Sequence, residues 1–466
     1  MFSPSASSLN PLGLLSSRHP LRSLTVFFCL WKTLLFLSIV ACPGPGYDTS
    51  TTLLPDHTTS ISDVASSAKY IESLSIPLRF VRWDSIYFVH VVDSGYVFEQ
   101  EWAFGYGYTK VLRFLASVFH PFESLGGAGR IALTGVVLSH LAHYLSVLAL
   151  YRLSINVFGH HSPTQRLLSY LSAALHVISP AGAFLSAPYG ESLFSFLNIS
   201  GFYVYSSSLY DDWSGARAWR DVKVLTAAAL FAAATMVRSN GILSGFLFAY
   251  DALLQLGQLV SRGLCVDRII RLGVIVLGGC IVAVGVIVPQ FAAYATFCMS
   301  EGVSRPWCQW TIPSIYSWVQ DQYWNVGFLN YWTVSNLPLF LLATPMLIVL
   351  CCSSLWALKI PFLGQQHQSA NQSAWSKPAD SLLIQLAVPQ ALLATMAFTS
   401  YHVQIINRIS SGYPVWYWYL AAQLRDHFAG PKSRAEHGRI WTIAVQSMVL
   451  YGLIQAVLFG SFLPPA

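Results

Sequence analysis

Charge is what this sequence has least of. Asp, Glu, Lys and Arg make up 10% of its 466 residues, against 54% hydrophobic and 14% aromatic residues. With a mean hydropathy of +0.52, that scarcity excludes an ordinary soluble domain and marks an integral membrane protein. The eight cysteines contain no Cys-x-x-Cys pair or other metal-ligand spacing, which argues against a zinc site. There is no Asp-x-Asp triplet, so the paired carboxylates that commonly hold a metal on the diphosphate of a sugar nucleotide are missing. No repeat recurs at a fixed period and no inverted halves carry matching broken helices, which counts against a secondary transporter. The net charge of +6 is spread over short loops, with no basic, aromatic-interleaved stripe for nucleic acid.

Long apolar runs are abundant. A helix needs about 20 such residues to cross a bilayer, and candidate spans fall at 24–42, 131–151, 167–187, 191–209, 222–237, 241–260, 269–292, 334–358, 381–400, 410–424 and 441–462. The expected fold is an all-α polytopic membrane protein with about ten or eleven transmembrane helices, one membrane-embedded unit over 1–466. It carries a large loop at 43–130 and a second at 293–333. Cys-Pro-Gly-Pro-Gly is a poor cleavage site, so the first run reads as a retained helix, in which Lys32 snorkels to an interface or pairs with another helix. With the N-terminus cytosolic, most of the 26 lysines and arginines fall on the cytosolic side and most acids on the far side. Of the two Asn-x-Ser sequons, Asn198 lies inside a span and Asn371 in a cytosolic loop, so neither is expected to carry glycan. Asp211-Asp212 reads as a solvated cytosolic turn.

The far side is where chemistry concentrates. The stretch 79–108 places Arg79, Arg82, Asp84, His90, Asp93, Glu99 and Glu101 among aromatic rings, and such groups in a membrane protein mark a working surface. Asp84 has two readings: an N-cap for the run that follows, or a general base taking a proton from an attacking sugar hydroxyl. Arg238, amid apolar residues and ahead of Ser-Asn240-Gly, is either salt-bridged to an acid such as Asp84 or Glu191, or contacts an anion. Arg82, His402 and Arg408 join it as candidates for stabilising a phosphate leaving group. Cys298 and Cys308 form a disulfide or stay as two buried thiols. The aromatics between 310 and 332 form an interfacial belt, or, with Gln320, Asn325 and neighbouring amides, a sugar-binding surface.

Several strings carry a family resemblance: Pro-Gly-Pro-Gly-Tyr-Asp at 43–48, Arg82-Trp83-Asp84-Ser-Ile-Tyr-Phe, Glu101-Trp-Ala-Phe, and Ser179-Pro-Ala-Gly-Ala-Phe through Tyr189-Gly-Glu191-Ser. Further on come Arg238-Ser-Asn-Gly, Arg305-Pro-Trp-Cys, Tyr323-Trp-Asn325-Val-Gly-Phe, Gln404 to Arg408 and Pro414-Val-Trp-Tyr-Trp. Across nearly its whole length the sequence resembles the PIG-V family, the second mannosyltransferases of glycosylphosphatidylinositol (GPI) anchor assembly. The resemblance implies a GT-C type helical bundle in the endoplasmic reticulum membrane with a luminal active site. It also implies dolichyl phosphate mannose as donor, a mannosylated GPI precursor as acceptor, α1,6 linkage, and in some members a small accessory subunit. Asp84 would be the catalytic base. Donor and acceptor would contact residues drawn from Arg82, Trp83, Glu99, Glu101, Glu191, Arg238, Asn240, Arg305, Gln320, Asn325, His402, Gln404 and Arg408, with no metal and no cofactor. Where relatives carry prolines, this chain has Gly105-Tyr-Gly107-Tyr, which leaves the shape of that loop open. The competing readings are a lipid transporter or scramblase, whose polar groups would trace a path through the bilayer, a different dolichyl-phosphate-sugar transferase, and a structural assembly subunit.

Overall fold

The computed structural model describes residues 19–43, 46–48, 50–54, 76–118, 126–299, 305–366, 376–429 and 432–464, and among the described residues all regular structure is helical. In chain order the helices are α1 (Pro20–Val40), α2 (Asp84–Ser94), α3 (Tyr106–Val118), α4 (Gly126–Phe158), α5 (Pro163–Val177), α6 (Glu191–Ser214), α7 (Arg217–Val237) and α8 (Phe246–Arg262). They continue with α9 (Val266–Phe297), α10 (Ile315–Gln322), α11 (Leu337–Gln366), α12 (Ser376–Thr399), α13 (Ile406–Ile409), α14 (Val415–Ala429) and α15 (Lys432–Gly460). Local chemistry sets the boundaries. Ser162 and Gln165 form a reciprocal capping box with Pro163 at the first position of α5. Gly215, at φ 79, takes the left-handed conformation that ends α6 and turns the chain into α7.

Helices α4, α6, α7 and α9 pack in succession through the centre, with α5, α14, α15 and α1 along one flank and α11 and α12 beside α14. Phe202, Phe231 and Phe248 interlock rings in the middle of this row. Outward, exposed side chains such as Val276, Val284 and Ile287 on α9 and Leu341, Ile348 and Leu355 on α11 make an apolar surface suited to lipid.

Among the described residues seven helices are long and apolar enough to cross a membrane, against the ten or eleven expected. The other four expected spans are helical but different in kind. Segments 191–209 and 222–237 lie in α6 and α7, whose outer turns carry Asp211, Asp212, Arg217, Arg220 and Lys223. Segments 167–187 and 410–424 are broken. Helix α5 stops at Val177, ahead of Ser179-Pro180, because proline has no N–H and disfavours helix in the residue before it. Helix α14 likewise starts only after Pro414. Each of these two helices has 15 residues, a rise of about 22 Å, short of a hydrocarbon core about 30 Å thick.

Irregular turns fill the remaining depth, and residues 178–190 are buried without exception. Non-helical backbone at membrane depth survives only inside protein or along a cavity. Here it is held by Lys32, which donates to the Leu185 carbonyl (2.7 Å) and Ser186 Oγ (2.9 Å). Lys32 therefore pairs with the rest of the bundle rather than reaching for an interface.

The first large loop forms α2, a turn at Glu99–Ala103, and α3, which lie against α4 and α7. Gly105 permits that approach, since a Cβ there would collide with the Val237 carbonyl oxygen. Trp102 of this loop packs in one cluster with Trp307, Ile315 and Val319 of the second loop, so the two loops fold as one cap.

Candidate active site

The first residue of α2 is Asp84. The residue before it, Trp83, is the helix N-cap and supplies no side-chain cap, so Asp84 does not cap the helix. Its carboxylate instead reaches Arg408, whose Nη2 donates to Oδ2 at 2.8 Å. The same guanidinium donates through Nε (2.9 Å) and Nη2 (2.7 Å) to Oε1 of Glu191, the first residue of α6. Arg238, at the end of α7, brings Nη1 to that same Oε1 at 2.8 Å. Four residues far apart in sequence thus converge, joined through one oxygen of a fully buried glutamate.

Burial divides their roles. Glu191 is 0% exposed, whereas the Asp84 and Arg238 side chains are 34% and 18% exposed. A buried carboxylate with two arginines on it is a rigid anchor, and the exposed atoms of the other groups are free to meet a ligand. Arg408 lies 4.0 Å from the centroid of Phe184 and 5.1 Å from that of Tyr189, over both rings. Burial works against its charge, but the carboxylates of Glu191 and Asp84 outweigh it and hold its pKa above the ordinary guanidinium value.

Arg82 and Trp83 turn away from this centre. Arg82 Nη1 donates to Thr51 Oγ1 and to the Leu78 and Val81 carbonyls, and its guanidinium lies 4.9 Å from the centroid of Phe462. Trp83 packs edge-on against Phe462. The contacts these two residues make in the structure are thus ones that build the loop.

Glu101 and Glu99 are similarly committed. Glu101, 1% exposed, accepts from His90 Nδ1 and from the Val97 and Phe98 backbone N–H groups. Glu99 accepts from the indoles of Trp307 and Trp318 and from Tyr323, with Arg305 Nε 3.4 Å away, so it fastens the second loop to the first. Cys298 and Cys308 are disulfide-bonded, closing the start of that second loop.

Asn240 pairs with the Tyr413 hydroxyl (3.3 Å), His402 Nε2 donates to the Trp324 carbonyl (2.9 Å), and Gln404 accepts from Tyr331 (3.2 Å). Gln320 is half-buried and Asn325 is exposed at φ 48. His402 and Gln404 are thus tied to the second loop, and Asn240 is buried in the turn that follows Arg238. Asn198 is buried, donating to Gly412 O and accepting from Ser244, which closes that sequon to glycan. Asn371 lies outside the described residues. At the opposite end of the bundle Asp211 and Asp212 lie in the last turns of α6 rather than in a loop and pair with Lys223, Arg220 and Arg271, while the Asp212 side chain stays 43% exposed to solvent.

Three contributors escaped the sequence reading. Phe184 and Tyr189 underlie Arg408, and the Tyr189 hydroxyl donates to the Arg82 carbonyl at 2.6 Å. Both sit inside a quoted motif, which was the available signal. Phe462 had none.

Comparison with known proteins gives the chain its relatives. The family model described as "Mannosyltransferase (PIG-V)" matches residues 21–466. The GPI mannosyltransferase 2 of Aspergillus oryzae is 59% identical, over 97% of this chain and 98% of its own length. That of Aspergillus fumigatus is 56% identical, over 100% and 99%. Among solved structures, the oligosaccharyltransferase of Archaeoglobus fulgidus superposes at a TM-score of 0.48 with 11% identity, over 93% of this chain and 55% of that one. By the family match and these full-length identities, the chain belongs to the PIG-V family of mannosyltransferases.

Proposed function

We propose that this membrane mannosyltransferase adds the second mannose of the GPI precursor, in α1,6 linkage, from dolichyl phosphate mannose at the luminal face of the endoplasmic reticulum. The family and the names of the full-length relatives support mannosyl transfer in GPI assembly. The observation that carries the mechanism is the partly exposed Asp84 carboxylate beside two arginines anchored on buried Glu191.

Asp84 Oδ2 is engaged by Arg408, and among the described residues Oδ1 has no hydrogen-bond partner. Oδ1 is the base. It takes the proton of the acceptor 6-hydroxyl as that oxygen bonds to the anomeric carbon of a β-linked mannosyl phosphate. The C1–O bond to phosphate breaks with its electron pair, leaving dolichyl phosphate and inverting the configuration to α. Arg238 brings Nη1 to 2.8 Å from Glu191 and its side chain is partly exposed, so its outward N–H groups face the departing phosphate. The buried Glu191 keeps both guanidiniums in place before substrate arrives, which is electrostatic preorganisation. The apolar tails of the two lipids lie along the lipid-facing surface, which is why the reaction is run inside a bilayer.

The test is product analysis with the purified chain in liposomes. It should transfer mannose from dolichyl phosphate mannose, and not from a mannose nucleotide, to the 6-hydroxyl of a singly mannosylated GPI lipid. Transfer to another hydroxyl, or equal use of the nucleotide, would sink the proposal.

A further inference from the structure

We infer that Phe462 is a positioning residue for the Asp84 base, an assignment that rests on the reading of Asp84 given above. The residue next to Asp84 is under backbone strain. Trp83 stands at φ 53, ψ −126, a region that L residues rarely adopt and that persists only where the surroundings impose it. Such strain directly ahead of a reacting group decides where that group points.

Two supports impose it. From the core, Tyr189 donates to the Arg82 carbonyl at 2.6 Å, and Ser85 closes a tight turn on the same residue, donating through its hydroxyl to the Arg82 carbonyl (2.8 Å) and accepting from the Arg82 N–H (2.7 Å). From the other side, Phe462 places its ring 5.2 Å from the Trp83 ring, edge-on at 79°, with the Arg82 guanidinium over the Phe462 ring, 4.9 Å from its centroid. Phe462 is 1% exposed and itself lies at φ 56, so two strained residues meet ring to ring. The segment after α15 is clamped in turn, since the Tyr47 N–H donates to the Ser461 carbonyl at 2.9 Å. Gly46, at φ +87, makes room for that contact, because a Cβ there would stand 2.9 Å from the Ser461 oxygen.

The consequence is geometric. With Trp83 pinned, α2 begins so that its first side chain reaches Arg408. Relaxation of Trp83 to an ordinary conformation would rotate that first turn and move the carboxylate. Displacement by about 1 Å is enough to cost on the order of a hundredfold in rate. Phe462 is 1% exposed and offers no surface to either substrate, so its effect falls on turnover and not on binding.

The experiment measures kcat and KM for both lipids with the full chain in liposomes, comparing Phe462→Ala, Phe462→Tyr, Asp84→Asn and the double variant Phe462→Ala/Asp84→Asn. Phe462→Ala should lower kcat on the order of ten- to a hundredfold with both KM values within about twofold, and Phe462→Tyr should restore it. Added to Asp84→Asn, it should leave the residual rate unchanged, because the two act through one group. Native kcat in Phe462→Ala, a rise in KM alone, or a full multiplicative loss in the double variant would overturn the assignment. If Phe462→Ala fails to accumulate, Phe462→Leu makes the same test, keeping apolar volume without a ring to face Trp83. Native turnover by Asp84→Asn would defeat the base reading and this inference together, whereas an inactive Asp84→Asn beside a fully active Phe462→Ala would overturn this one alone.

Discussion

The two ends of the bundle both carry networks of arginine and carboxylate, built on opposite plans. At one end Arg220 pairs with Asp212 and Asp221, eight residues and one residue away, and Lys223 with Asp211. Arg271 approaches Asp251, which also accepts from Tyr205 and Gln385 and is nearly enclosed. Arg220–Asp221 lies within α7, and the Arg220–Asp212, Lys223–Asp211 and Arg271–Asp251 pairs join successive helices. At the other end Arg408 joins Asp84 and Glu191 across 324 and 217 residues, and part of that network stays open. Pairing between successive helices suffices to hold a hairpin, whereas the Arg408 network draws segments more than 200 residues apart onto a fully buried glutamate. Exposure does not distinguish the two ends, since the Asp212 and Asp84 side chains are 43% and 34% exposed; the sequence span of the pairing does, although both look alike as charges in an apolar sequence.

Substitutions matched between the two ends sharpen that contrast. The largest expected effect is on Arg408→Gln, which removes the cation shared by Asp84 and Glu191. Transfer should fall by about 10²–10³ in protein that still accumulates, and a rate near native would mean that the two ends do not differ in function. Glu191→Gln leaves two arginines without their buried counter-charge. Thermal or denaturant unfolding in detergent should show a loss of about 3–5 kcal/mol, together with loss of activity. Asp251→Asn is the counterpart at the end that holds Arg220. It should cost about 1–3 kcal/mol and leave kcat per folded molecule unchanged, so a selective loss of turnover there would erase the distinction. The smallest perturbation is a labelling one. Cys265 is exposed between α8 and α9, at that same end. A membrane-impermeant thiol reagent added to sealed, cytosolic-side-out microsomes should label it without detergent, and protection there would reverse the orientation.

How much of this was legible beforehand follows from the kind of signal each feature leaves. The long spans could be read because apolar runs of that length have one physical explanation. Asp84, Glu191, Arg238 and Arg408 stood out because ionisable groups in such a chain are costly. Their connection was half visible: the salt bridge from Arg238 to Glu191 was one of two readings, and the structure shows that pair with the guanidinium still partly exposed. Glu99 and Glu101 carried the same charge signal, and nothing in sequence foretold that their carboxylates fasten indoles and backbone N–H groups within the cap. The two broken helices were hidden because Ser179-Pro180 and Pro414 sit inside runs apolar enough to pass as spans. Phe462 was invisible, since one aromatic among 28 phenylalanines gains its meaning only from the strained residue it touches. The glycines at 105 and 107, which left the loop shape open, are explained by the close approach of that loop to the end of α7.

The claim that mannose is transferred at the end that holds Arg408 is tested most directly by Asp84→Asn, a change that keeps size and one acceptor oxygen for Arg408 while removing the basic, charged carboxylate. Measured in liposomes with dolichyl phosphate mannose and the singly mannosylated acceptor, and normalised to folded protein, its turnover should fall by about 10²–10⁴ while both lipids still bind. Turnover equal to that of the unaltered chain would contradict it.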